Sequence, residues 1–290
     1  MNKLTRHFRV LLSKLGLKKK YGLNGSFIEL DYTHSLPDYQ KEHPSYDRFL
    51  PHLVKYLPDN SVVIDVGANI GDTLVAMVGS NSSLEYISIE ADDEFFSDLE
   101  KNAELLRATN EKLKITTVKQ LVGIDVDDVS LAGSGGTKYA VPGGGQLKSK
   151  SLDKTLGELN IDQLSLSLLK TDVDGYDWDI IRSSYNVLKH CPYVFFECEY
   201  KNDSQLKEYK DLFDELITRG YTKFAFFDNY GQYICTTSAI SHILELLAYV
   251  ERQNLYNSTR TLYYYDILAH SLEHAQEFDR IIDDYNCRSV

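Results

Sequence analysis

Cysteine is scarce in this chain. Cys191, Cys198, Cys235 and Cys287 are its four, and none of them forms a C-x-x-C pair or a zinc-ligand spacing. That pattern excludes a disulfide-stapled scaffold and a structural zinc cluster, and it predicts reduced thiols in a cytoplasmic protein. No apolar run approaches the ~18 residues needed to cross a bilayer. No glycine is followed directly by Lys-Ser or Lys-Thr, which excludes the phosphate loop of nucleoside triphosphate sites. Acids are missing from residues 1–20, which hold seven Lys or Arg, whereas the other 270 residues carry 24 bases against 43 acids. A body so acidic repels phosphate backbones, so a nucleic-acid partner is not expected.

Hydrophobic residues make up 43% of the chain and tyrosines number 21, enough for a substantial core. The basic segment 1–20 places Leu4, Phe8, Leu11, Leu12 and Leu15 on one helical face. Bases interrupt its apolar part and no small-residue cleavage site follows, unlike a secretory signal. It is expected to make peripheral contact with the inner face of a membrane, against the plainer alternatives of a frayed helix or one docked on its own domain.

The most specific local pattern is Val62-Val63-Ile64-Asp65-Val66-Gly67-Ala68-Asn69-Ile70-Gly71-Asp72-Thr73. A β-branched run reads as a buried strand, and glycines then mark a turn into a helix. Gly67 permits close backbone approach to a ligand, Gly71 lets the helix pack on the strand, and the first helical amides face the ligand. The spacing Asp65-x-Gly67-x-x-x-Gly71 departs from the G-x-G-x-x-G of dinucleotide sites. Glu90 closes a second apolar run, Tyr86–Glu90, 19 residues after Gly71. An acid there accepts hydrogen bonds from both ribose hydroxyls. Asp65 and Glu90 together resemble the two acids by which class I methyltransferases hold S-adenosylmethionine (SAM). The expected cofactor residues are Asp65, Gly67, Ala68, Asn69, Gly71, Asp72, Thr73 and Glu90.

Further along, strands are expected at 115–122, 164–171, 193–197, 221–227, 231–235 and 261–269, with helices between them and a helical tail over 271–290. Residues 21–60 read as a helical lead-in with a helix at 45–57. The six glycines between 133 and 145 read as a plain mobile loop, with a flexible hairpin or lid as the alternative. A continuous helix is expected from Asp177 to Leu188. Alternation of strands and helices predicts an α/β domain over 61–270 with a doubly wound, mostly parallel sheet. In such a sheet ligands sit at the carboxyl ends of the strands. Asp65, Glu90, Asp172 and Glu197 all fall at such ends and need a positive partner. A sulfonium cofactor is favoured over Mg²⁺ for that role.

Three stretches, residues 63–72, Ser151-Leu152-Asp153 and Leu169-Lys170-Thr171-Asp172-Val173-Asp174-Gly175-Tyr176-Asp177, resemble successive motifs of the FkbM family of SAM-dependent methyltransferases. The likeness runs from about Tyr46 to Ala269 and takes in Phe196-Glu197, Asp228-Asn229-x-Gly231 and Tyr264–Leu268. Asp174 stands where family members more often carry Glu. The resemblance implies a Rossmann-like fold and methylation of a hydroxyl on a sugar, glycan or polyketide-type product. A hydroxyl must lose its proton to attack, so a base is needed. Asp172 is the first choice for it, Asp174 and Glu197 follow, and Lys170 is placed to anchor Asp172. Trp178 is expected in a helix core, and His34 and His43 in solvent. Methylation of a small metabolite or a phosphate-like glycan substituent, and a silent SAM-binding module, are the alternatives.

Overall fold

A computed structural model describes residues 3–134, 137–143, 145, 147–255, 260–271 and 275–288, with side chains at all of these except 3–6, 133–134, 137–142, 254, 275–276 and 288. The chain begins with helix α1 (Lys3–Lys14) and a hairpin of β1 (Lys18–Leu23) and β2 (Ser26–Asp31). Helices α2 (Leu36–Glu42) and α3 (Phe49–Leu53) and a 3-10 turn lead into β3 (Val62–Val66), α4 (Asp72–Ser80), β4 (Glu85–Glu90), α5 (Asp93–Thr109) and β5 (Lys114–Lys119). Four further strands follow: β6 (Leu121–Val122), β7 (Val126–Ser134), β8 (Thr137–Pro142) and β9 (Leu147–Lys150). Then come α6 (Leu152–Glu158), β10 (Leu166–Thr171), α7 (Asp177–Arg182), α8 (Tyr185–His190), β11 (Tyr193–Cys198) and α9 (Asp203–Thr218). The chain ends with β12 (Tyr221–Asp228), β13 (Tyr233–Thr237), α10 (Ile240–Leu255), β14 (Tyr265–Ser271) and α11 (Ala275–Arg288).

Eight strands form the central sheet in the order β13-β12-β14-β11-β10-β3-β4-β5. Its middle is parallel, and β14 slots in antiparallel between β11 and β12. β3, β10 and β11 are buried at every position, which requires cover on both faces. The period of two divides β3 accordingly. Val62, Ile64 and Val66 join the core under α6 to α10, while Val63 joins the one under α3, α4, α5 and α11. The expected doubly wound α/β architecture is present. The order reverses between β3 and β10, so the carboxyl ends of those two strands border the crevice where such sheets bind ligands. Among the described residues no helix is long and apolar enough to cross a membrane.

Three expectations need correction. A hairpin, β1–β2, occupies part of the supposed helical lead-in. Its turn is Asn24-Gly25, both at positive φ (46° and 88°), the dipeptide most suited to a tight hairpin. The expected helix 177–188 is two helices, because the hydroxyls of Ser183 and Ser184 both donate to Ile180 O and compete with the backbone there. Asp153 then caps α8 by accepting from Asn186 N at 2.8 Å and Val187 N at 3.2 Å. The glycine-rich stretch, expected as a loop, is chiefly the antiparallel hairpin β7–β8 in a second sheet ordered β6-β9-β7-β8. Gly135, Gly136 and Gly144 lie outside the described residues. Asp128 helps close the hairpin by accepting from Gly143 N and Gly145 N, and a Cβ on Gly145 would lie 1.9 Å from Val129 O.

Candidate active site

The loop after β3 is packed too tightly for other residues. Gly67 (φ 77°) brings β3 against the end of β10, and a Cβ there would stand 2.0 Å from Asp172 O. Gly67 N and Ala68 N both donate to Ile89 O at 3.0 Å. Gly71 (φ 87°) starts α4 against Leu99, whose Cδ1 would lie 2.9 Å from an added Cβ. Glu90 fixes the outer side of the loop. Its carboxylate accepts from Asn69 N at 2.8 Å, Ala91 N at 2.9 Å and Asp92 N at 2.8 Å. Burial raises the Glu90 pKa, and those amides pull against the rise.

Two cavities open at this edge of the sheet. The first, of about 300 Å³, is mainly apolar. Phe95, Leu121, Val129, Leu131 and Trp178 wall it, with Glu90 and Gln120 as polar handles. The β6–β9 sheet therefore forms one of its walls. Trp178, expected in a helix core, faces this cavity, and its indole Nε1 has no hydrogen-bond partner. The second cavity, of about 690 Å³, is polar and lies under the β1–β2 hairpin and α2. Asp72, Thr73 and Glu197 line it, as does His34, so His34 is not the solvent residue expected; His43 stacks on Tyr230 at 3.9 Å. Gly67, Asn69, Asp172 and Asp174 line both cavities and mark where they meet. Asp65, Ala68 and Gly71 line neither.

Asp65 serves the site from below. It is buried, and Lys170 Nζ lies 2.8 Å from its Oδ1, 3.0 Å from Gly67 O and 3.5 Å from Asp172 Oδ2. Burial would lower the Lys170 pKa, but Asp65 and Asp172 overcome it and hold the ammonium charged. The expected Lys170–Asp172 contact is thus the longer of two, and the closer one, to Asp65, follows from adjacent strands that no sequence spacing reveals.

The polar cavity concentrates carboxylates. Asp31, Asp47, Asp72, Asp172, Asp174, Glu197, Glu199 and Asp266 line it, with only Arg48, Lys170 and His34 of opposite or switchable charge. Burial first, then the neighbouring acids, pushes Asp174 up to about 7 and raises Glu197 and Asp266 well above the ordinary range. Asp174, Glu197 and Glu199 bring one oxygen each within 4.8 Å of one another, a spacing that suits a hard cation, but Lys201 already neutralises Glu199 at 3.0 Å. Among the described residues no Lys or Arg ion pair reaches Glu197. Sequence reasoning missed Asp47, Glu199 and Asp266. Asp266 had a signal, since it sits in the alternating run Tyr264–Leu268 and pairs across strands with Glu197; Asp47, in a loop at φ 56°, had none.

These acids make stability fall with pH. Asp174 and the buried Asp177 keep their protons up to about 7 in the folded chain, whereas unfolded aspartates release them near 4. The folded state therefore binds more protons across that window, so the stabilisation present below it is lost as pH rises through about 7. His34, lowered by burial, acts in the opposite sense but is a single group. The melting temperature of the ligand-free protein is expected to drop by several degrees between about pH 5 and about pH 8, and Asp177→Asn is expected to flatten the slope. Calorimetry showing a flat or rising profile would contradict the protonated cluster.

The Methyltransferase FkbM domain matches residues 65–223, more than half of the chain. Among solved structures, the methyltransferase FkbM of Methylobacillus flagellatus KT is 14% identical, with 77% of this chain and 67% of that one covered and a TM-score of 0.42. TYW2 of M. jannaschii in complex with AdoMet is 9% identical over 88% of this chain and 87% of that one, with a TM-score of 0.45. The plantazolicin methyltransferase BpumL in complex with SAH is 9% identical over 92% and 99%, with a TM-score of 0.41. No curated protein matches the sequence. The chain belongs to the FkbM family and is a SAM-dependent methyltransferase of that type.

Proposed function

We propose that the protein moves a methyl group from SAM to a hydroxyl of a sugar or glycan, with the adenosine in the apolar cavity and the acceptor in the polar one. The observation that carries this reading is the meeting of the two cavities at Gly67, Asn69, Asp172 and Asp174. SAM supplies the methyl as an electrophile on sulfonium sulfur. Glu90, fixed by three backbone amides, accepts from the ribose hydroxyls, and the α4 start at Asp72 and Thr73 faces the amino-acid end. The acceptor oxygen approaches in line with the carbon–sulfur bond across the junction, so alignment provides much of the acceleration. Asp172, half-exposed there and steadied by Lys170, takes the hydroxyl proton as the oxygen–carbon bond forms and the carbon–sulfur bond breaks.

The carboxylates favour a neutral polyhydroxylated acceptor. Asp174, pushed up to about 7, and Glu197 and Asp266, raised by burial, each donate to as well as accept from sugar hydroxyls when they carry a proton. A phosphate-bearing acceptor would meet repulsion, which disfavours the phosphate-like substituent raised above. With labelled SAM, transfer to a neutral glycan is expected to exceed transfer to its phosphorylated form by about tenfold or more. SAM binding without transfer to any hydroxyl acceptor would overturn the proposal.

A further inference from the structure

Helix α1 turns its apolar side outward. Phe8 and Leu11 are 60% and 54% exposed, and Leu15 and Leu17, just past the helix, are 64% and 47% exposed. The inward flank is more polar: Arg9 reaches Asp38 Oδ2 at 2.6 Å, and Leu12 and Ser13 are half-buried. A helix held by its own domain buries its apolar stripe, and this one does the opposite. Lys14 borders the stripe and Lys20 lies on β1; both are exposed.

We propose that this face docks on an anionic membrane surface, with Phe8, Leu11, Leu15 and Leu17 in the boundary between headgroups and acyl chains and the lysines against anionic headgroups. Charge selects this occupant. Residues 1–20 carry seven bases and no acid in a chain whose net charge is −12, so an anionic surface attracts this segment and repels the rest, which fixes the orientation. A second copy seated on the same face would bring two basic segments together.

Docking also sets which acceptors reach the site. Arg9 ties α1 to Asp38 on α2, and Asp31 at the end of β2, with Thr33, His34 and Ser35 in the connection to α2, line the polar cavity. With α1 on the bilayer, the Arg9–Asp38 pair holds that rim near the membrane plane without pressing it on the headgroups, so a sugar tethered to lipid reaches the cavity more readily than one free in solution. This second step rests on the assignment of the polar cavity to the acceptor; the docking itself does not.

The full chain should be sedimented with vesicles of phosphatidylcholine alone and with vesicles one-third phosphatidylglycerol. Binding to the anionic vesicles is expected to be about tenfold stronger or more, and Leu11→Asp with Leu15→Asp is expected to abolish that gain while SAM affinity stays unchanged. The same double variant is expected to lose transfer to a lipid-anchored sugar in vesicles but not to the soluble sugar. Equal vesicle binding by the wild type and the variant would overturn the docking. So would a concentration-dependent dimer that the variant abolishes in place of vesicle binding. Equal losses on both acceptors would overturn the orientation. Transfer to neither acceptor, with docking intact, would strike the acceptor reading alone.

Discussion

Asp172→Asn is expected to lower methyl transfer by about 10²- to 10⁴-fold while leaving SAM affinity within a few-fold, the usual range for loss of a positioned base. The amide keeps the size of the side chain and its exposure to both cavities but no longer accepts a proton at neutral pH. Asp172 has the better position of the candidates, since it lies at the junction and its carboxylate is steadied by Lys170 at 3.5 Å. Glu197 lines the polar cavity alone and does not reach the junction. Asp174 is the competitor, raised to about 7 and present at the same junction. Single-turnover rates across pH separate the two. Should Asp172→Asn keep its rate while Asp174→Asn loses both the rate and a rise centred near 7, the base is Asp174.

The second large effect lies beneath the site. Lys170→Met is expected to destabilise the fold by about 3–5 kcal/mol, because it leaves Asp65 buried without its counter-charge. Asp65 is 1% exposed, so water offers it little relief. The substitution also removes the donor to Gly67 O at 3.0 Å, so SAM affinity should weaken along with stability. Urea denaturation of Lys170→Met and of the double variant Lys170→Met/Asp65→Leu measures this. The double variant is expected to recover most of the loss, since it removes both charges together. A loss of only ~1 kcal/mol in the single variant would show that Asp65 is neutral in the fold, and the buried ion pair would have to be abandoned.

The sequence was most legible where causes are local. The β3–loop–α4 unit could be read because strand, glycines and helix start are consecutive, and the same is true of Glu90 at its strand end. Asn24-Gly25 carried a hairpin signal as clear as any, hidden by the adjacent run of lysines. Ser183-Ser184 showed no break, because their competition for Ile180 O exists only once a helix has formed. The glycines of 133–145 suggested slack, yet Asp128 and the pairing of β7 with β8 order the described residues there. The Asp65–Lys170 pair and the gathering of Asp47 and Asp266 with Glu197 depend on which strands lie side by side. Topology settles that, and no single stretch of residues contains it.

The two cavities take their walls from different parts of the chain. Residues 89–131 and 176–180 enclose the first, and residues 23–50, 195–199 and 264–266 much of the second, with four shared positions between them. On the proposed assignment of the cavities, drift in the early segment retunes what is accepted while the adenosine pocket stays constant. A lineage built this way diversifies its products by editing one margin, and the pinned quartet at the border keeps both halves in register.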